Sequence, residues 1–176
     1  QLLEAVKGSP RLRRLVFASS SSVYGQTEDL PLREESLPRP YSPYGVTKLA
    51  AEHLCGLYHA NHGVPTVTLR YFTVYGPRQR PDMAFSRFLG SALAGDPLTV
   101  LGDGRQVREF TYVADVVAAT LAAAERGERG AVYNVGGGEA VARDRRAGGA
   151  GRDAGADLDV EALGGVQTIA GVVPGR

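Results

Sequence analysis

The strongest constraint on the fold lies between Leu15 and Tyr71, where two strand-like runs bracket one helix-like run. Leu15-Val16-Phe17-Ala18 is short and apolar throughout, as in a strand buried on both faces of a parallel sheet. Thr66-Val67-Thr68-Leu69-Arg70-Tyr71 reads as a second strand. Between them, Ser42 offers an N-cap, Pro43 fits the first helical position, and Asn61-His62-Gly63 gives a stop. Strand, helix and strand at this spacing form a βαβ unit, so the expected class is α/β. Val46, Leu49, Ala50, His53, Leu54 and Leu57 recur at helical spacing and are expected to form the inward stripe of the helix.

Tyr44 and Lys48 lie off that stripe, one turn apart on one face. An unperturbed phenol titrates near ~10, and a neighbouring ammonium favours the phenolate by opposite-charge attraction. Such a pair suits removal of a proton from a sugar hydroxyl near neutral pH. Tyr-x-x-x-Lys alone is common by chance. Here it stands behind Ser19-Ser20-Ser21-Ser22-Val23-Tyr24-Gly25, at the carboxyl end of the first strand, the edge where open α/β sheets place ligands.

The flanks read more plainly. Gln1 to Gly8 resembles the end of a helix, Ser9 to Arg14 a basic link, and Thr27 to Tyr41, with three prolines, a loop. Tyr75 to Pro81 reads as loop and Met83 to Ala94 as a helix closed by Gly95. Leu98 to Leu101 and Val107 to Val113 read as strands around a Gly-Asp-Gly turn. Asp115 to Glu125 is an alanine-rich helix, with Asp115 as expected N-cap and Val113 as its staple. Ala131 to Val135 is a last strand, ending at Gly136-Gly137-Gly138, which reads as a turn because it lacks a phosphate-loop lysine. From Glu139, arginine, glycine and alanine dominate without a sustained stripe. Residues 139–176 are therefore expected to be a divergent tail, frame-shifted or disordered.

Composition narrows the partners. A formal net charge of +1 over 176 residues gives no polybasic surface for nucleic acid or membrane. No apolar run approaches the ~20 residues of a membrane span. Cys55 is the only cysteine and fits a reducing, cytoplasmic setting. His53, His59 and His62 lack metal-ligand spacing, so no metal is expected.

Four ordered motifs carry a family resemblance. They are Ser19 to Gly25, Ser42-Pro43-Tyr44-Gly45-Val46-Thr47-Lys48, Leu69-Arg70-Tyr71-Phe72-Thr73-Val74-Tyr75-Gly76-Pro77, and Arg108-Glu109-Phe110-Thr111-Tyr112-Val113. From about Leu12 to Gly138 the chain resembles the extended short-chain dehydrogenase/reductases, and among them the NAD-dependent nucleotide-sugar epimerases and dehydratases. The resemblance implies the C-terminal part of a Rossmann-like doubly wound parallel sheet over residues 1–76. Substrate-domain elements over residues 77–138 would complete it with a small α/β portion. It implies catalysis by Ser20, Tyr44 and Lys48, with Tyr44 as base. NAD contacts would come from Ala18, Ser19, Tyr44, Lys48, Tyr71 and Phe72, and UDP-sugar contacts from Ser21, Ser22, Thr73, Arg80 and Arg108. Hydride would leave sugar C4 for NAD and return to the opposite face of the 4-keto sugar. A homodimer through the Tyr44 helix is the implied assembly.

Departures from the family pattern sort the activities. The 4,6-dehydratases of this group carry a glutamate where Ser22 stands, and a serine cannot serve as a carboxylate base. Thr73 stands where galactose-type epimerases usually have asparagine, and Thr73 to Pro77 with Arg80 to Ala84 resembles the UDP-glucuronate 4-epimerases. The resemblance leaves a UDP-glucose/UDP-galactose 4-epimerase and a UDP-glucuronate 4-epimerase both open, with a non-catalytic remnant as the bland reading. The Gly-rich dinucleotide fingerprint of the family is not in the chain. The N-terminal βα units are therefore read as missing, which would put the fingerprint roughly 100 residues upstream.

Overall fold

A computed structural model describes residues 1–27, 30–98, 107–137 and 140–142, the backbone alone at 107–108 and 140–142. In chain order the elements are α1 (Leu2–Val6), β1 (Leu15–Ser20), a 3₁₀ turn (Ser21–Val23), α2 (Pro43–His62), β2 (Thr66–Tyr71) and β3 (Thr73–Tyr75). There follow α3 (Ala84–Ala94), β4 (Val107–Tyr112), α4 (Val113–Arg126), β5 (Val132–Val135) and β6 (Ala140–Ala142). One sheet has the order β1-β2-β5, parallel throughout, and the other β3-β4-β6, with β3 and β4 parallel and β6 antiparallel.

The βαβ unit stands where the sequence places it. β1 runs beyond Ala18 through Ser19 and Ser20, in register with β2 from Leu15 opposite Thr66 to Ser20 opposite Tyr71. Period-two alternation gives β2 two different faces. Val67 and Leu69 join Val116, Ala123 and Val135 in the apolar core beneath α4, with Tyr71 packed against it. Thr66 and Arg70 turn the other way, onto α2, where Thr66 Oγ1 donates to the Cys55 carbonyl at 3.2 Å and Arg70 meets Glu52. Helices on both faces of a parallel sheet make the doubly wound α/β arrangement.

That polar strand face overturns the expected stripe on α2. The helix buries Gly45, Glu52 and Cys55, while Val46, Leu54 and Leu57 stay about half exposed. A helix set against threonines and an arginine must offer hydrogen-bonding partners there, because buried polar groups left unpaired are costly. The ends of α2 are as expected. Ser42 Oγ accepts from the Gly45 N–H at 3.1 Å, and Gly63 closes the helix at φ 64°.

Other differences are local. β3 occupies residues partly read as loop, and its pairing with β4 is long-range information that a local pattern lacks. α4 starts at Val113 with Tyr112 as N-cap, so Asp115 is not the cap. It sits in the first turn, where its charge faces the positive helix end. The division at residue 76 does not follow the sheets, since β5 returns to β2 while β3 leaves for β4. The turn and strand read between 99 and 106 lie outside the described residues, as do Gly138, Glu139 and 143–176. Within the expected tail, Ala140–Ala142 form a strand against β4. Among the described residues no helix is long and apolar enough to cross a membrane.

Candidate active site

The residues of interest gather at the carboxyl ends of β1 and β2. Ser20 is the last residue of β1 and caps the 3₁₀ turn: its Oγ accepts from the Ser22 N–H and donates to Ser22 Oγ, both at 3.1 Å. The result is a short hydroxyl relay facing away from the buried Ser19. Ser19 itself is spoken for, because its hydroxyl donates to the Glu52 carboxylate. For a cofactor Ser19 therefore offers backbone only.

Tyr44 and Lys48 stand on the first two turns of α2. Lys48 Nζ donates to the Ala18 carbonyl at 2.9 Å and lies 5.3 Å from the Phe17 ring centroid and 5.6 Å from that of Tyr44. Tyr44 is 55% exposed. Gly45 sets the spacing between helix and serine turn, since a Cβ there would lie 2.6 Å from the Ser22 carbonyl oxygen. The start of α2 and the serine turn thus form one ledge, with no side chain on the helix at its point of closest approach.

Behind the ledge runs a buried network. The Glu52 and Arg70 side chains are each 6% exposed and paired at 2.7 Å, Nη2 to Oε2. Arg70 Nη1 also donates to Tyr24 Oη at 2.7 Å and to the Glu34 carbonyl at 3.0 Å, and Tyr24 Oη donates to Asn134 Oδ1 at 2.7 Å. Burial alone would lower the Arg70 pKa, but the bonds to Glu52 and Tyr24 leave it above its ordinary value. Burial raises the Tyr24 phenol against the pull of Arg70. Glu52, Tyr24 and Asn134 escaped the sequence reading. The available signal for Glu52 was its position one turn beyond Lys48.

The remaining candidates are distributed as follows. Tyr71 packs on the core and its hydroxyl meets Thr120 Oγ1 at 2.8 Å, which turns it toward α4. Phe72 is half-buried between β2 and β3, and Thr73 opens β3 opposite Phe110. Arg80 lines a cavity of about 330 Å³ with Val74, Tyr75, Gly76, Arg78 and Val113. Its guanidinium is engaged by Asp82, Nη2 to Oδ2 at 2.5 Å, on an exposed surface. Tyr75 stacks on Phe85 at 4.8 Å between centroids, and Phe85 meets Phe110 edge-on at 4.7 Å, forming an aromatic base beside this cavity. The Arg108 backbone stands in β4 opposite Val141, and its side chain lies outside the described residues.

The profile of the NAD dependent epimerase/dehydratase family matches residues 1–136. The chain belongs to that family. It is 49% identical over 140 residues to an uncharacterized UDP-glucose epimerase, YtcB, of Bacillus subtilis, covering 79% of this chain and 44% of that protein. It is 39% identical over 148 residues to a trifunctional UDP-glucose 4,6-dehydratase/UDP-4-keto-6-deoxy-D-glucose 3,5-epimerase/UDP-4-keto-L-rhamnose-reductase of Arabidopsis thaliana, covering 82% of this chain and 22% of that one. A crystal structure of UDP-glucuronic acid 4-epimerase from Bacillus cereus, in complex with UDP-glucuronic acid and NAD, superposes with a TM-score of 0.75. The identity is 51%, over 81% of this chain and 45% of that one. The chain thus spans less than half the length of these relatives, and the expected family and fold class both hold.

Proposed function

We propose that this chain carries the proton-transfer half of an NAD-dependent nucleotide-sugar 4-epimerase of the UDP-glucose/UDP-galactose type. One observation supports the reading: Gly45 lies against the Ser22 backbone and Lys48 bonds the Ala18 carbonyl, so the first turn of α2 abuts the serine turn. Tyr44 takes the proton of the sugar 4-hydroxyl, Ser20 hydrogen-bonds the same oxygen, and Lys48 holds the phenolate by charge. The donor set also fits a cofactor ribose, because Lys48 uses one proton on Ala18 and has two more to give. Bound NAD would supply the hydride acceptor for C4. Ser22 in place of a glutamate argues against elimination of water, which sets the dehydratase reading aside.

A second reading, UDP-glucuronate as substrate, draws on the hydroxyls of Ser21, Ser22 and Thr73 and on Arg80 at the cavity, and on the 51% identity to the Bacillus cereus enzyme. The neutral sugar comes first because Arg80 is already paired with Asp82. Val46, Leu54 and Leu57, outward on α2, would supply the apolar patch of a homodimer. Arg108 is kept as the diphosphate contact.

The test is turnover of UDP-glucose and UDP-glucuronate with NAD by the gene product that contains this chain. Tyr44→Phe is expected to lower kcat by about 10²–10⁴-fold. An unchanged kcat in that variant would overturn the reading. Purified residues 1–176 alone are expected to turn over neither sugar.

A further inference from the structure

We infer that Glu52 and Arg70 are the positioning pair of this site, fixing how far α2 stands along β1 and hence where Tyr44 meets Ser20. The inference rests on the reading above. Two bonds join α2 to consecutive residues of β1: Lys48 Nζ to the Ala18 carbonyl, and Glu52 to the Ser19 hydroxyl one helical turn later. Tyr44, Lys48 and Glu52 recur every fourth residue, so a slip of α2 by one residue, about 1.5 Å, would break both bonds and displace the phenol. Ser19 and Ser20 are adjacent, so the bond that pins Ser19 also fixes the backbone from which Ser20 caps the serine turn.

Arg70 locks the carboxylate from β2. Its Nε lies 3.1 and 3.2 Å from the two Glu52 oxygens and its Nη2 2.7 Å from Oε2, a fork that sets the carboxylate plane as well as its place. The same guanidinium stacks over the Tyr24 ring at 4.8 Å and holds the end of the serine turn. One buried pair therefore touches the helix that carries the base, the strand before the catalytic serine, and the turn after it. Apolar side chains of similar volume often stabilise as well as a buried ion pair or better. The pair is placed where geometry, more than stability, depends on it.

The test replaces both partners, Glu52→Leu with Arg70→Met, so that no charge is left unpaired, and separately Arg70→Lys, which keeps the charge and loses the fork. In residues 1–176 the measurements are the thermal midpoint and hydrogen–deuterium exchange at the Ser22 amide, whose proton is held by Ser20 Oγ. In the gene product they are kcat and KM. We expect a midpoint within about 5 °C of wild type. Ser22 exchange should rise at least tenfold, and kcat should fall roughly 10–100-fold, in line with a displacement on the order of 1 Å, while KM stays within about twofold. Unchanged Ser22 exchange with retained kcat would overturn the inference, as would losses in kcat, KM and midpoint that run together. If the gene product turns over no nucleotide sugar at all, the functional reading fails, and Ser22 exchange still decides the positioning claim.

Discussion

At the end of β1 two adjacent serines face opposite ways, one bonded to a buried carboxylate and one to the turn that fronts the site. On the neighbouring helix α2, Cys55 is buried three residues beyond Glu52 and within reach of its charge. Burial, and then that carboxylate, raises the Cys55 thiol above its ordinary value. Stability from this group is therefore complete below the unfolded thiol pKa, about 8.5, where both states hold the proton. As pH rises further the unfolded thiol ionises first, and the contribution is lost up to the folded pKa. Calorimetry from pH 7 to 10 should show the midpoint falling above pH ~8.5, with a shallower slope in Cys55→Ala. A midpoint that climbs over this range would contradict the assignment. The raised Tyr24 phenol adds a loss of the same sign at higher pH, beyond about 10.

On the scale of one element, α2 holds two glycines with opposite consequences. Gly56 has no atom within 4 Å of a built Cβ, so Gly56→Ala should stabilise by roughly 0.5–1 kcal/mol through helix propensity. Gly45→Ala gains the same propensity but drives a methyl to 2.6 Å from the Ser22 oxygen and 2.9 Å from Pro40 Cβ. A net loss of about 1–3 kcal/mol is expected, with a fall in kcat as Tyr44 and Ser22 separate. Urea denaturation of both variants measures the contrast, and equal stabilisation by both would contradict it. The ends of α2 were legible in the sequence because Ser42, Pro43 and Gly63 act locally. Its buried face was not. A search for apolar periodicity finds Val46, Leu54 and Leu57, whereas the inward positions are Gly45, Glu52 and Cys55 facing a polar strand. Tyr44 and Lys48 were legible because the proposed proton transfer requires those residue types at that spacing. Glu52 looks like any surface glutamate until Arg70 is brought over it from β2.

Across the whole molecule, the two sheets interleave along the chain, which is why a single cut at residue 76 does not separate them. β1, α2 and β2 follow one another directly, whereas β5 reaches β2 only after α3, β4 and α4, with Leu69 opposite Tyr133. Closing the longer loop costs more entropy, so the β1-α2-β2 unit should gain amide protection before β5 in pulse-labelled refolding. Protection of the Thr68 amide, which donates to the Ala131 carbonyl, at the same time as that of Leu15, which donates to the Pro65 carbonyl, would contradict that order. Synthesis imposes the same sequence of events in another currency, time. After β2 leaves the ribosome, its far edge waits for the next sixty-odd residues, several seconds at ~5–20 residues per second. During that interval the nascent chain presents a bare row of backbone groups next to Val67 and Leu69, which is what chaperones bind and what neighbouring nascent chains can zip onto.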